Sequence, residues 1–171
     1  TDVFRDERVI ENSNVGQCPG PSSILKNAGR RSVRVGNDDV RQVSRSKPHT
    51  VVVADDHKVV RAGIRELLSD EPDITVVGEA RDGHEAVALA LAERPDVVVM
   101  DINMPALSGV EATRQIRALA PEVRVLVLTA YADDPYIYGL LDAGASGYIL
   151  KTAEGGDIVR AVRATAACRS A

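Results

Sequence analysis

"VVVMDINMPALSG", residues 97–109, runs four apolar residues straight into an aspartate and reaches a proline and a glycine within eight more positions. A run this short and this rich in valine reads as a buried strand. A carboxylate left inside a core without partners is costly. Asp101 therefore marks the point where the chain leaves the core, and the Pro and Gly that follow belong to a loop.

The same grammar repeats on both sides. Apolar or β-branched runs occur at 50–54 (TVVVA), 74–80 (ITVVGEA), 96–100 (DVVVM), 124–129 (RVLVLT) and 147–150 (GYIL). Between and after them lie apolar residues at helical spacing: Val60, Ile64, Leu67 and Leu68; Val87, Ala90 and Leu91; Ile137, Leu140 and Leu141; Ile158, Val162 and Ala166. A further helix is expected from Gly109 to Leu119. Ser108 with Glu111, and Asp82 with Glu85, have capping-box spacing at two helix starts, and Pro135 suits a first helical turn. Strands apolar nearly throughout need cover on both faces, so five alternations imply a parallel sheet between two helical layers. Right-handed crossovers make this a doubly wound α/β sandwich. Its ligand crevice lies beyond the carboxyl ends of the strands, where the winding reverses.

Asp101 reaches that edge, and so do Asp55 and Asp56 after the first run, Thr129 at the end of the fourth and Lys151 after the fifth. Singly, each has an ordinary explanation: a helix cap, half-buried packing or a solvated lysine. Together at one edge they argue for a site. Three converging carboxylates raise one another's pKa or attract a cation. Hard oxygen ligands suit Mg²⁺. An ammonium and a hydroxyl suit the oxygens of a phosphoryl group, and a carboxylate can act as the nucleophile that accepts it.

Residues 1–48 carry nine Lys+Arg against six Asp+Glu, and residues 49–171 carry twelve against nineteen. The first segment lacks any sustained period and scatters Gly, Pro and Ser, so it reads as a polar, disordered arm or linker, with the domain spanning 49–171. Its basic residues are diluted by acids and lack interleaved aromatics, which disfavours a nucleic-acid surface. No apolar run approaches the roughly 18 residues of a membrane span, and a cytoplasmic protein is expected. Cys18 and Cys168 have no metal-ligand spacing and read as incidental thiols. His49, His84 and His57 have no acid/base partner by spacing; His57, beside the acidic pair, is the best candidate for a modest influence on a metal site.

Residues 50–167 resemble the receiver domain of bacterial two-component response regulators. "VVVADDHKVVRAGIRELL" and "MDINMPALSGVEATRQIR", with "LTAY" and "GYILK", look most like the NarL/FixJ (LuxR-type) subfamily. The resemblance implies a flavodoxin-like (βα)5 fold of strand order 2-1-3-4-5. It implies that Asp101 is the phosphoacceptor, served by a sensor histidine kinase. Mg²⁺ would be held by Asp55, Asp56, Asp101 and the main-chain carbonyl of Asn103. Thr129 and Lys151 would bind the phosphoryl group, Tyr148 would turn inward as Thr129 shifts, and Pro105 and Gly109 would shape the loop. By the same resemblance the Lys151–Thr152 peptide is cis, and Asn103 and Tyr131 set how fast water attacks the acyl phosphate, Tyr131 shielding it. Such a chain is a signalling switch rather than an enzyme, apart from self-catalysed phosphoryl transfer and slow autodephosphorylation.

Receivers of this subfamily commonly continue into a helix-turn-helix domain that reads DNA. None is evident before Ala171, so no direct DNA binding is expected of this chain, and transcription would be regulated through an output domain outside it. Phosphorylation would reshape a surface on the fourth helix, fifth strand and fifth helix, or on the first and fifth helices, where a partner or second copy docks. The alternatives are a stand-alone receiver working by protein contact or as a phosphate sink, and an interaction domain that is not phosphorylated. An aspartyl-phosphate hydrolase is disfavoured, because Asn103 stands where such enzymes carry a second Asp.

Overall fold

The structure, a computed structural model, describes residues 47–130 and 136–168. The expected arm, Cys18, Tyr131 and Pro135 lie outside the described residues, as does the side chain of Ile137. Strands and helices alternate throughout: β1 (His49–Ala54), α1 (Lys58–Ser69), β2 (Ile74–Ala80), α2 (Gly83–Glu93), β3 (Val97–Asp101), α3 (Gly109–Leu119), β4 (Arg124–Thr129), α4 (Tyr136–Asp142), β5 (Gly147–Leu150) and α5 (Gly155–Ala167). All strand pairs are parallel, in the order β2-β1-β3-β4-β5. The fold is the doubly wound sandwich that the residue pattern implied, with the flavodoxin-like strand order that the resemblance implied.

Alternate residues of each central strand face opposite layers. Val52, Val98, Met100, Val125 and Val127 pack with Ala86, Ala90, Ala112, Ile116 and Leu140, which places α2, α3 and α4 on one side. Val51, Val53, Val97, Val99, Leu126 and Leu128 pack with Ile64, Leu68, Ile158 and Val162 of α1 and α5 on the other. A fully buried Val, Leu or Ile contributes about 1.5–3 kcal/mol. Two such faces easily sustain a few charged groups gathered at the strand ends.

Several local details differ from the sequence expectation. β3 runs 97–101, one residue later than expected; Asp96 just before it still bonds both neighbours through its backbone, donating to Thr50 O at 2.9 Å and accepting from Arg124 N at 3.2 Å, while its Oδ2 accepts from Thr50 N at 2.9 Å and Thr50 Oγ1 at 3.2 Å. β1 takes in His49, whose N–H donates to Asp73 O at 2.8 Å. The two caps keep only part of the reciprocal box. Asp82 Oδ1 accepts from Glu85 N at 2.8 Å, but Glu85 Oε2 accepts from Arg81 N instead of Asp82 N. Ser108 Oγ accepts from Glu111 N at 3.3 Å, while the Glu111 carboxylate pairs with Arg114.

Candidate functional site

The reversal of winding falls between β1 and β3, and the polar strand ends gather just beyond it. Asp101 closes β3 at 3% exposure, and Asp55, immediately after β1, is fully buried. Asp56 is exposed at the rim. The Asp55 carboxylate is held from below: its Oδ1 accepts the His57 N–H at 2.8 Å. Arg61, on the first turns of α1, donates from a guanidinium nitrogen to the Asp55 carbonyl at 2.6 Å and from Nε to Glu79 at 3.2 Å. One side of the acidic loop is thereby tied to β2.

Lys151 follows β5, where its N–H donates to Thr129 O at 2.7 Å. Its ammonium lies 2.8 Å from Asp55 Oδ2 and 3.2 Å from Asp101 Oδ2. The implied cis Lys151–Thr152 bond is not found, and every peptide bond among the described residues is trans. A non-proline cis bond costs about 2.5–4 kcal/mol. The trans chain already brings the ammonium to both carboxylates, so nothing in this arrangement offsets that cost.

Burial pushes the Asp101 carboxyl above its ordinary range. The Lys151 charge pulls it down, the Asp55 charge adds to the rise, and the net direction is up. Burial also works against the Lys151 ammonium, but its hydrogen bond to Asp55 and the charges of both aspartates prevail and raise it. Three carboxylates, of Asp55, Asp56 and Asp101, thus gather around the one Lys151 ammonium.

The loop after Asp101 is shaped more tightly than Pro105 and Gly109 alone suggested. Leu107 N donates to Pro105 O at 2.7 Å around Ala106, whose φ is +65°. That is a γ-turn carried by a non-glycine residue. Gly109 N then donates to Ile102 O at 2.9 Å, so close that a Cβ on Gly109 would stand 2.2 Å from Asp101 O. Asn103 is exposed, and its backbone amide bonds the Asp101 carboxylate. Thr129, at the end of β4, is buried. Tyr148 is half-buried and packs against the α2–α3–α4 side of the core.

Sequence reasoning undervalued His57. Its Nδ1 is 2.9 Å from Asp56 Oδ1 and 3.3 Å from Asp55 Oδ1. One ligand atom from each of Asp55, Asp56, His57 and Asp101 lies within 4.8 Å of the others. His49 opens β1 and His84 is exposed on α2. Arg61 was missed outright, because nothing in linear spacing shows that its side chain turns back to the Asp55 carbonyl. Half-buried Cys168 is the C-cap of α5, its carbonyl reached by Arg124 at 3.5 Å.

The chain matches the family model for the response regulator receiver domain over residues 51–163. The response regulator protein VraR of Staphylococcus aureus is 48% identical over 115 residues, 67% of this chain and 55% of VraR. The chain therefore spans about half the length of the curated relatives it matches. The signal receiver domain of NarL from Mycobacterium tuberculosis superposes with a TM-score of 0.69 at 36% identity, covering 71% of this chain and 98% of that one. A LuxR-family two-component response regulator from Aurantimonas sp. SI85-9A1 gives 0.67 at 37%, covering 71% and 86%. The isolated receiver domain of RcsB from Salmonella enterica serovar Typhimurium, solved with the phosphomimetic BeF3⁻, gives 0.63 at 27%, covering 68% and 87%. Sequence, topology and the acidic pocket agree: the chain belongs to the response regulator receiver domain family, in its NarL/LuxR-type branch.

Proposed function

We propose that this chain is a phosphorylation-dependent switch in a two-component phosphorelay, with Asp101 as the phosphoacceptor and a sensor histidine kinase as the donor. The observation that carries the reading is the Lys151 ammonium set between buried Asp55 and Asp101 at the carboxyl edge of the sheet. An oxygen of the Asp101 carboxylate attacks the phosphorus of a phosphohistidine, the P–N bond breaks with its electron pair going to nitrogen, and the donor leaves as neutral imidazole because its other ring nitrogen keeps the proton it carries. An acyl phosphate remains on Asp101. Lys151 gives the new phosphoryl oxygens a cationic partner, and Thr129, at the adjacent strand end, offers a hydroxyl.

The donor set fits a hard dication: carboxylates of Asp55, Asp56 and Asp101 in one small cluster, with a single ammonium, that of Lys151, beside them. These three and the carbonyl of Asn103 would hold Mg²⁺, which when bound neutralises charge on the transferring phosphoryl oxygens. BeF3⁻ as a phosphomimetic on the RcsB receiver accords with this chemistry. The phosphoryl group adds charge and acceptor oxygens, Thr129 and Lys151 are drawn to it, and Tyr148 turns toward the space that Thr129 leaves. The altered face then favours a second copy or another partner.

Among the described residues no helix is long and apolar enough to cross a membrane. We assign the switch to the cytoplasm and regard it as a signalling device rather than an enzyme with an external substrate. Regulation of transcription runs through a DNA-binding region outside these 171 residues. The test is intact mass after incubation with Mg²⁺ and acetyl phosphate. A gain of one phosphoryl group that needs Mg²⁺ and is lost in Asp101→Asn is expected. No gain from acetyl phosphate or from any histidine kinase, in folded protein with Mg²⁺, would return the chain to the class of non-phosphorylated interaction domains.

A further inference from the structure

Arg61 holds the peptide plane between the two acidic residues that follow β1. The Asp55 N–H still bonds β2, at Ala80 O and 3.1 Å, while the Asp55 carbonyl accepts from the Arg61 guanidinium at 2.6 Å. A peptide unit is planar, so holding that oxygen sets the direction in which the chain enters Asp56. The Asp55 carboxylate has its own holds, on the Lys151 ammonium and the His57 N–H. The Asp56 carboxylate stands at the exposed rim and takes its aim from this backbone and from His57 Nδ1 at 2.9 Å. Arg61 is braced in turn. Its side chain is 16% exposed, its Nε donates to Glu79 Oε2 at 3.2 Å, and Arg65, one turn on, holds the other Glu79 oxygen at 3.0 Å. Glu79 pairs with Val53 in the β1–β2 register, so one guanidinium joins α1, β2 and the acidic loop.

We propose that Arg61 is a positioning residue of the dication site: through the Asp55 carbonyl it keeps the Asp56 carboxylate turned toward Asp101 before the ion arrives. This rests on the acidic pocket being a dication site, as proposed above. The Asp56 ligand atom already lies within 4.8 Å of those of Asp55 and Asp101. An ion that enters a preset loop does not have to order it, and preorganisation of that kind raises affinity. Charge works the other way. A guanidinium beside the pocket repels a dication, so its removal would tighten binding if Coulombic repulsion alone counted. Position and charge therefore predict opposite signs for the same substitution.

The test uses the full chain and its Arg61→Met and Arg61→Lys variants, with thermal melts to establish folding and calorimetric titration with Mg²⁺ to read affinity. Arg61→Met is expected to bind Mg²⁺ about tenfold more weakly, the loss that outer-shell changes produce at metal sites, although a positive charge has been removed. Arg61→Lys keeps the charge but replaces the planar fork with one ammonium, and should weaken binding as well. Phosphoryl uptake from acetyl phosphate should then need more Mg²⁺ to reach half its maximal rate, with the rate at saturating Mg²⁺ unchanged. If wild type binds Mg²⁺ and the folded variants bind it equally well or more tightly, Arg61 only supports the fold, and the inference is overturned while the pocket stands. Should Arg61→Met fail to fold, Arg61→Lys decides by the same criterion. If the wild-type chain binds no Mg²⁺, the dication site falls and takes the inference with it.

Discussion

Lys151 Nζ donates to Asp55 Oδ2 at 2.8 Å across 96 residues of sequence, and the acceptor is fully buried. This contact joins the loops after the first and last strands and compensates a carboxylate that water does not reach. Removing one partner of a buried pair leaves an uncompensated charge. Lys151→Met is expected to lower stability by about 2–3 kcal/mol in metal-free buffer, less than for a wholly buried pair because the ammonium is one-fifth exposed. Urea unfolding with and without a divalent ion checks this, and added ion should recover part of the loss. An unchanged midpoint in metal-free buffer would mean that the pair contributes little.

Asp101 gives a pH dependence of opposite sense to that of an ordinary paired aspartate. Burial raises its carboxyl above the ordinary 3.8, so the folded chain holds this proton more tightly than the unfolded one. Its contribution favours folding at low pH and is lost as pH climbs from about 3.8 through the raised value. Asp101→Asn should therefore gain stability relative to wild type as pH rises through that window without metal. Paired thermal melts across the range measure it, and a difference independent of pH would contradict the assignment.

Arg163 of α5 reaches the loop before β2, with Nε 2.8 Å from Asp73 Oδ2 and a terminal nitrogen 2.6 Å from Asp73 Oδ1 and 2.5 Å from Glu71. The hydrogen bond from Arg163 holds the Asp73 carboxyl below its ordinary 3.8. Stability from this contact is present above about 3.8 and disappears as pH falls through the lowered value. All three side chains are partly exposed, at 32–41%, so solvent screens the contact and Arg163→Gln should cost less than about 1 kcal/mol at neutral pH. The difference should shrink in about 1 M salt and vanish at the acid end, as denaturation at paired pH and salt would show.

Gly109 is required by contact rather than by a special φ. A Cβ there meets Asp101 O at 2.2 Å and Ile102 Cα at 2.9 Å, both backbone. Gly109→Ala must push the loop off the end of β3, with an expected loss of roughly 1–3 kcal/mol. Because the displaced carbonyl belongs to Asp101, phosphoryl uptake from acetyl phosphate should slow as well. Mass spectrometry over time, beside a melt, separates the two effects.

The sequence by itself determined the alternation of elements, the parallel sheet and the residues at its carboxyl edge. Valine runs at 51–53 and 97–99 and helical stripes such as Ile64 and Leu68 are local signals, and burial enforces them wherever the chain folds. Asp55, Asp56, Asp101, Thr129 and Lys151 could be named because a strand's last residue is a position in the sequence. Only the tertiary structure decided which partners those residues take. The preference of Lys151 for Asp55 over Asp101 and the turn of Arg61 onto the Asp55 carbonyl depend on side-chain directions from different elements, while the γ-turn at Ala106 and the approach of His57 to its neighbour Asp56 are local conformations that periodicity does not report. The clasp of Asp96 on Thr50 likewise links residues 46 apart. Periodicity reports which face a residue occupies. It carries no information about the distance between two side chains that meet only after the sheet has assembled.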